Sequence, residues 1–344
     1  MIFSGDTVLP FKFNEKIFKS LDKDFLSKEK VVNLESLIRL EDMQKTTKGI
    51  ALESDKSVVD FFNTLNVKSV SLANNHITDF DTSIDKQRKF LKQNDIDSFG
   101  AADNLESASK PFIFKQNSKE YFVFAFGWNV IGCNYASNDK KGVNSFEYEH
   151  IKRVLKSYED SNIILTFHNN YEFELYPQPA HRKMFFDLVD DFNVKAIFCH
   201  HPHIVGGCEI YNDTPIFYSL GNFYIPEINY NGYDLRYSKE ANIGLSVDFI
   251  EEDIILYWTF KDEDNHLQLI DKELLSESKK IKELTPFDGM NHDDYIKWFK
   301  KHRKKNKLLP IYKDYNNKFE DNLNLFLVKT RQLLIDTLVR LGVK

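Results

Sequence analysis

The chain has 344 residues, of which 42% are hydrophobic and 14% aromatic, enough for one large core or two moderate ones. Its formal net charge of −6 gives no reason to expect nucleic-acid binding. The three cysteines, Cys133, Cys199 and Cys208, are too few and too scattered for a disulfide scaffold or a thiolate zinc site, and they are typical of reduced thiols in a cytosolic protein.

The N-terminal sequence lacks the pattern of a signal peptide, because Met1 leads into Ile2 and Phe3 without a basic region or an apolar stretch. No run of 18 or more apolar residues occurs along the chain. We therefore expect a cytoplasmic protein, with a peripheral association at the inner face of the membrane as a further expectation.

Short apolar runs alternate with helical patterns through the N-terminal part of the chain. Runs of strand length cover residues 31–32, 69–72, 121–126, 163–167 and 196–198. Apolar residues at helical spacing predict helices over 84–93, over 146–158 and in the segment that follows Pro179. This alternation favours an α/β layered core.

The pattern changes after residue 208. Asn212-Asp213 predicts a tight hairpin turn between two strands. Alternating apolar and polar residues over 244–250, 254–260 and 267–270 predict an antiparallel meander that closes or extends the sheet. The sequence then becomes helical and charged, so we predict a main domain over 1–272 and a helical, partly basic C-terminal extension over 273–344.

The C-terminal extension contains a basic run and an amphipathic pattern. Residues 297–307 include seven lysines or arginines. A solvated helix face is the ordinary interpretation of such a run, and a peripheral membrane contact beside Trp298 and Phe299 is the alternative. Residues 319–341 predict an amphipathic helix that packs on the main domain or on a second subunit.

Side chains that bind metals follow the predicted strands. They are Asp6 after Ile2-Phe3, Glu35 after Val31-Val32, Asn75 after Leu72, His168 after Phe167, and His201 and His203 after Phe198. Ligand sites of α/β sheets lie outside the carboxyl ends of the strands, so we expect one shared site. Imidazole, carboxylate and amide oxygen together suit Zn, Mn or Fe, and their order is typical of a two-metal hydrolytic centre.

These segments resemble the CapA-type bacterial capsule-synthesis proteins (the poly-γ-glutamate capsule, or PGA_cap, family), a branch of the calcineurin-like metallophosphoesterase superfamily. The matching segments are GDTVLP, VVNLES, SLANNHITDFD, FHNNYEFELYP, FCHHPHIV and TPIFYSLGNF, within residues 1–250. The resemblance implies a four-layer α/β/β/α metallo-dependent phosphatase-like sandwich as the catalytic domain, followed by the helical C-terminal extension.

The resemblance also implies two metal ions, with Mn, Fe or Zn as candidates. The implied ligands are Asp6 and His203 for the first ion, Asn75, His168 and His201 for the second, and Glu35 as the bridge between them. The superfamily has a further histidine two residues after the first aspartate, where this chain has Val8. The first ion is therefore expected to have one ligand fewer than in the superfamily pattern.

His76 is implied as a general acid, or as a cation that stabilises charge on a phosphate, and Asp79 as the residue that fixes its tautomer. The residues expected to contact the ligands or the substrate are Asn33, Asn74, Glu172 and Asn222. Each has an ordinary alternative as a turn residue or a solvated surface acid. Relatives have Trp-Gly after the histidine that corresponds to His168, where this chain has Asn169-Asn170, so a changed substrate preference is expected.

The implied function is metal-dependent hydrolysis of a phosphomonoester or phosphodiester in capsule or cell-surface polysaccharide biosynthesis. One alternative is poly-γ-glutamate synthesis or hydrolysis of γ-glutamyl amides, and another is a non-catalytic component of capsule assembly. The expected partner is therefore a phosphorylated or γ-glutamyl small molecule or polymer, and no nucleic acid. The basic C-terminal helices would contact the membrane or the capsule machinery.

Overall fold

The structure is a computed structural model that describes residues 1–47, 49–230, 233–249, 253–304 and 309–340. Its strands are β1 (Ile2–Thr7), β2 (Phe18–Ser20), β3 (Lys30–Leu34), β4 (Leu37–Ile38), β5 (Glu53–Ser54), β6 (Val67–Ser71), β7 (Asp97–Phe99), β8 (Ala101–Ala102), β9 (Phe112–Gln116), β10 (Lys119–Gly127), β11 (Gly142–Val143), β12 (Asn162–His168), β13 (Val194–His200), β14 (Cys208–Tyr211), β15 (Thr214–Phe217), β16 (Asn222–Tyr224), β17 (Asn229–Tyr230), β18 (Tyr233–Asp234), β19 (Ile243–Asp248), β20 (Ile255–Lys261) and β21 (Leu267–Leu274). Its α-helices are α1 (Lys23–Ser27), α2 (Val58–Thr64), α3 (Ile84–Gln93), α4 (Leu105–Ala108), α5 (Tyr148–Leu155), α6 (Pro179–Asp191), α7 (Lys279–Leu284), α8 (His292–His302) and α9 (Lys318–Arg340).

The first sheet has the order β2-β21-β20-β19-β1-β3-β6-β7, and β16 also pairs with β1. β1, β3, β6 and β7 run parallel, whereas β19, β20 and β21 form an antiparallel ribbon that joins the sheet through β1. The predicted meander is therefore confirmed, and it extends the sheet. Residues 250–252 of its first turn lie outside the described residues.

The second sheet has the order β14-β15-β13-β12-β10-β9. Its strands β10, β12, β13 and β15 run parallel, and β14 and β15 form the predicted hairpin. Asn212 and Asp213 both have positive φ angles, 47° and 62°, which match the twist that a two-residue hairpin turn requires. The predicted apolar runs lie in β3, β6, β10, β12 and β13. These strands are apolar on both faces because a parallel sheet is covered on both sides.

The two sheets pack face to face, and helices cover their outer faces. The ring of Phe3 on β1 stacks on that of Phe198 on β13, with 4.4 Å between centroids. Phe61 of α2 is buried against the first sheet, and Phe185 of α6 is buried against the second. The predicted four-layer α/β/β/α sandwich is therefore confirmed. All three cysteines are free and buried, as expected of reduced thiols.

The C-terminal segment shares the core of the second sheet. β21 runs to Leu274, past the predicted boundary at residue 272, and α8 packs beside α6. Phe299 is fully buried, and the ring of Trp298 lies 4.7 Å from that of Tyr176. Phe299 therefore belongs to this core and Trp298 packs against it, and a peripheral membrane contact through the basic run stays a prediction. Residues 305–307 of the basic run lie outside the described residues.

Among the side chains that the structure describes, those of α9 that pack on the main domain lie on one face. Residue 341 of the predicted helix lies outside the described residues. Leu325 and Val328 are partly buried against the core of the second sheet. On the other side of the helix, Phe319, Phe326 and Leu333 are 81%, 64% and 65% exposed. Within the described ranges, no helix combines the length and the apolar character that a bilayer span needs.

Candidate metal centre

The candidate ligands converge where the carboxyl ends of strands from both sheets meet. Asp6 lies on β1 and Glu35 directly follows β3 in the first sheet. In the second sheet, His168 is the last residue of β12, and His201 directly follows β13. All four side chains are buried. The paired sheets thus bring together residues that are far apart along the chain.

Gly5 allows the loop before β16 to approach β1. A Cβ at position 5 would lie 2.0 Å from the carbonyl oxygen of Gly221, so no larger residue fits there. The Asp6 N–H donates to that same carbonyl at 3.0 Å, and Asp6 pairs with Asn222 in the parallel β1–β16 ladder. This close approach places Asp6 and Asn222 at the same site.

The Asp6 carboxylate is held as an anion. Its Oδ1 accepts a hydrogen bond from Asn33 Nδ2 at 2.7 Å, and its Oδ2 accepts one from the His201 backbone N–H at 3.1 Å. Burial would raise the pKa of Asp6, but the hydrogen bond and the attraction to His200 outweigh burial and hold the pKa well below its usual range.

His200 was not among the predicted site residues, although its Nδ1 lies 3.3 Å from Asp6 Oδ1 and its side chain is buried. The sequence offered one signal for His200, namely its position directly before His201 and close to His203. Tyr237 was also missed, and its ring lies 5.2 Å from that of His203. No sequence pattern marks Tyr237, because it reaches the site from a distant loop.

Glu35 is fully buried, and neither carboxylate oxygen accepts a hydrogen bond from the described residues. Its Oε1 lies 3.3 Å from His168 Nε2, and its Oε2 lies 3.7 Å from His203 Nδ1. Burial and the charge of Asp6 raise the pKa of Glu35 to about 8. A buried carboxylate without a donor is costly, and a bound cation is the partner that would satisfy it.

Two groups of donor atoms share Glu35. One consists of Asp6, Glu35 and His203, and the other of Glu35, His168 and His201, with the donor atoms of each group within 4.8 Å of one another. Carboxylate oxygens and imidazole nitrogens are suitable ligands for Zn, Mn or Fe. The residues present therefore fit two neighbouring cations with Glu35 between them.

Asn75, His168 and His201 form a compact polar cluster. His168 Nε2 lies 2.7 Å from Asn75 Oδ1 and 3.2 Å from His201 Nδ1. Burial lowers the pKa of His168 to about 3 and that of His201 well below its ordinary value. Both rings are therefore neutral at physiological pH and have a lone pair available for a metal ion.

The loop that follows β13 has an unusual backbone. His201 and His203 have φ angles of 92° and 59°, which non-glycine residues seldom adopt. The carbonyl of Pro202 accepts a hydrogen bond from the Phe173 N–H at 2.9 Å, which helps hold this conformation. His203 Nδ1 lies 2.9 Å from Asn222 Oδ1. The loop thus directs its two histidines to the two donor groups.

His76 lies at the edge of the site, with its side chain 15% exposed. Its Nδ1 lies 2.6 Å from Asp79 Oδ2, which also accepts a hydrogen bond from the Leu52 N–H at 3.0 Å. Burial would lower the pKa of His76, but the charge of Asp79 and its hydrogen bond to the ring outweigh burial and raise the pKa. His76 is therefore a cation over a wider pH range than an ordinary histidine.

The remaining predicted residues have distinct environments. Asn74 donates to the Leu34 carbonyl at 2.8 Å and accepts from the His76 N–H at 3.1 Å, so it supports the backbone. Val8 is fully buried in a small apolar cluster. Glu172 is exposed and lines a pocket of about 500 Å³ that also includes His201.

The family described as "Bacterial capsule synthesis protein PGA_cap" has a model that matches residues 12–227. The capsule biosynthesis protein CapA of Bacillus anthracis is 26% identical over 201 residues, which are 56% of this chain and 49% of that protein. The PGA biosynthesis protein CapA of Bacillus subtilis (strain 168) is 28% identical over 219 residues, 62% of this chain and 56% of that protein.

The chain thus spans about half the length of the curated relatives it matches. Among solved structures, a hypothetical protein from Thermus thermophilus superposes with a TM-score of 0.42 at 12% identity. That superposition covers 79% of this chain and 96% of the other.

Proposed function

The chain belongs to the PGA_cap family of bacterial capsule synthesis proteins, and we propose that it is a metal-dependent phosphoester hydrolase in capsule or cell-surface polysaccharide biosynthesis. The main observation behind this proposal is the position of Glu35, a fully buried carboxylate that belongs to two groups of potential metal ligands, one with Asp6 and His203 and one with His168 and His201. A carboxylate in this position is stabilised by cations on both sides.

Asp6 and His203 would hold one ion, Asn75, His168 and His201 the other, and Glu35 both. Two ions in such a site lower the pKa of a water and neutralise charge that develops on the phosphate. The ionised Asp6 contributes negative charge that balances the ions, and Asn33 fixes its orientation through the hydrogen bond to Oδ1.

His76 would act as the general acid. Its Nδ1 faces Asp79, so the Nε2 proton is directed away from that carboxylate and toward the metal centre. The distance from His76 Nε2 to Glu35 Oε1 is 4.0 Å. The raised pKa widens the pH range in which the ring carries a proton that it could donate to the leaving oxygen.

The test is elemental analysis of the purified protein and of the double variant His201→Ala/His203→Ala, with a generic phosphoester assay on both. We expect about two equivalents of Mn, Fe or Zn in the wild type and loss of metal and turnover together in the variant. His302→Ala is the matched control, because His302 is an exposed residue at the end of α8. Failure of the wild type to bind metal after reconstitution would overturn the proposal.

The name of the B. subtilis relative, PGA biosynthesis protein CapA, favours a second candidate. The same centre would then hydrolyse a γ-glutamyl amide, with His76 protonating the leaving nitrogen. Stoichiometric metal without turnover of any phosphoester, together with cleavage of a γ-linked glutamate oligomer, would support this candidate over the first.

A further inference from the structure

The pocket at the metal centre has a wall that lies outside the segment matched by the family model. That segment ends at residue 227, whereas α9 begins at Lys318. The pocket has a volume of about 500 Å³, with His201 and Glu172 on one side and the α9 residues 328, 329, 331 and 332 on the other. Gly132 also lines it, and a Cβ at that position would lie 3.7 Å from Asn75 Cβ. The pocket therefore adjoins the candidate ligands of the second ion.

Specific contacts hold α9 in this place. The helix packs on the 3-10 turn Asn129–Ile131, which lines the same pocket. Asn324 is buried and donates to the Ile311 carbonyl at 3.4 Å, and Leu325 packs against the core of the second sheet. Val328 and Arg331 follow at helical spacing on this inward face. The wall is thus part of the packed structure.

This wall is cationic. Lys329 is exposed and Arg331 half-buried, and no carboxylate among the described residues lies within ion-pair distance of either. Among the described residues that line the pocket, Glu172 is the one carboxylate. The two cations and a metal ion at His201 would together make the pocket attractive to anions.

The neighbouring pocket has the opposite character. It has a volume of about 530 Å³ and shares Asn129 and Val130 with the first, so the two are continuous along α9. Its charged residues are Glu147, Glu149, Asp321 and Lys318. An anion that approaches this side of the protein is therefore directed to the pocket beside the metal centre.

We propose that Lys329 and Arg331 bind a second anionic group of the substrate, at a distance from the bond that is cleaved. The nature of that bond rests on the proposed function, but the anion site does not. The substrate class is an extended polyanion that carries phosphate or carboxylate groups. The planar guanidinium of Arg331 can donate two hydrogen bonds to two oxygens of one anion, and the ammonium group of Lys329 contributes a second positive charge.

The test is isothermal titration calorimetry of the full chain with two probes, inorganic tripolyphosphate and a γ-linked glutamate tetramer. Lys329→Gln/Arg331→Gln should bind the preferred probe at least about tenfold more weakly than the wild type, and Arg331→Lys should lose less. Lys300→Gln/Lys301→Gln removes the same charge from an exposed face of α8 and serves as the matched control. Elemental analysis and circular dichroism of every variant verify the metal content and the fold.

Weaker binding of tripolyphosphate alone identifies a phosphate-bearing substrate, and weaker binding of the glutamate tetramer alone identifies a carboxylate-bearing one. Equal affinities of the wild type and of Lys329→Gln/Arg331→Gln for both probes would overturn the inference, as would an equal loss in the α8 control. Because these measurements need no turnover, an anion site without hydrolysis would contradict only the proposed function.

Discussion

Glu35 Oε1 lies 3.3 Å from His168 Nε2, so a carboxylate that follows a strand of the first sheet faces an imidazole at the end of a strand of the second. The two residues are both fully shielded from solvent, at 0% and 2% exposure. Their proximity depends on the packing of the sheets, in which contacts such as the stacked rings of Phe3 and Phe198 set the spacing. The candidate centre is therefore a product of the interface between the sheets.

Glu35→Gln should abolish metal binding and yet stabilise the metal-free protein. Its raised pKa means that the folded state keeps a proton that the unfolded state releases between pH 4.5 and about 8. The free energy of unfolding of the metal-free wild type should thus fall as the pH rises through this window, and the variant should lack that fall. Urea unfolding in EDTA at pH 5 and pH 9 measures the difference.

Asp6→Asn is the contrasting variant, because the Asp6 carboxylate already accepts hydrogen bonds from Asn33 and from the His201 backbone. We expect Asp6→Asn to lose metal binding, as Glu35→Gln does. Unlike Glu35→Gln, its metal-free form should be less stable than the wild type, by about 1–3 kcal/mol. An unchanged pH dependence in Glu35→Gln would contradict the account of Glu35 as an unsatisfied buried acid.

His76→Ala should reduce turnover by about 10²–10⁴-fold and leave the metal content unchanged, since the ring supplies a proton and no metal ligand. Asp79→Asn keeps an acceptor for the Leu52 N–H but removes the charge that raises the pKa of His76. The alkaline limb of its pH–rate profile should therefore move to lower pH, with turnover reduced by about tenfold to a hundredfold. A profile identical to that of the wild type would exclude this role for Asp79.

Gly5→Ala should destabilise the protein by about 1–3 kcal/mol or more and weaken metal retention. The added methyl would overlap the Gly221 carbonyl and push the loop before β16 away from Asp6. Gly49→Ala is the control, because a Cβ there meets nothing within 4 Å. Thermal unfolding and elemental analysis of both variants compare the effects, and equal behaviour would show that the close approach of β1 and Gly221 is not required.

Arg182→Met should cost about 3–5 kcal/mol, because it leaves the buried Glu209 carboxylate without its cation. Arg182 Nε and Nη2 donate to Glu209 at 2.6 and 2.7 Å, and the Tyr218 hydroxyl donates to the same carboxylate at 2.6 Å. The double variant Arg182→Met/Glu209→Leu should recover most of the loss in urea unfolding. If the single and double variants were equally unstable, the packing of Arg182 would be its main contribution.

The sequence alone indicated most of the secondary structure and the residue types of the candidate centre. The predicted helix over 84–93 coincides with α3, and the Asn212-Asp213 turn lies between β14 and β15. Both signals are local, since helical periodicity and turn conformation depend on residues close together in the chain. The positions of Asp6 and His168 after apolar runs are local signals of the same kind.

Only the tertiary structure decided which distant residues meet. It placed His200 against Asp6, buried Phe299 in the core of the second sheet, and set Arg331 of α9 over the pocket beside His201. No periodicity in the sequence encodes these contacts, because they depend on the packing of two sheets and on the docking of a helix from the far end of the chain. The sequence thus determined the elements and the chemistry at their ends, and packing determined how they combine into a site.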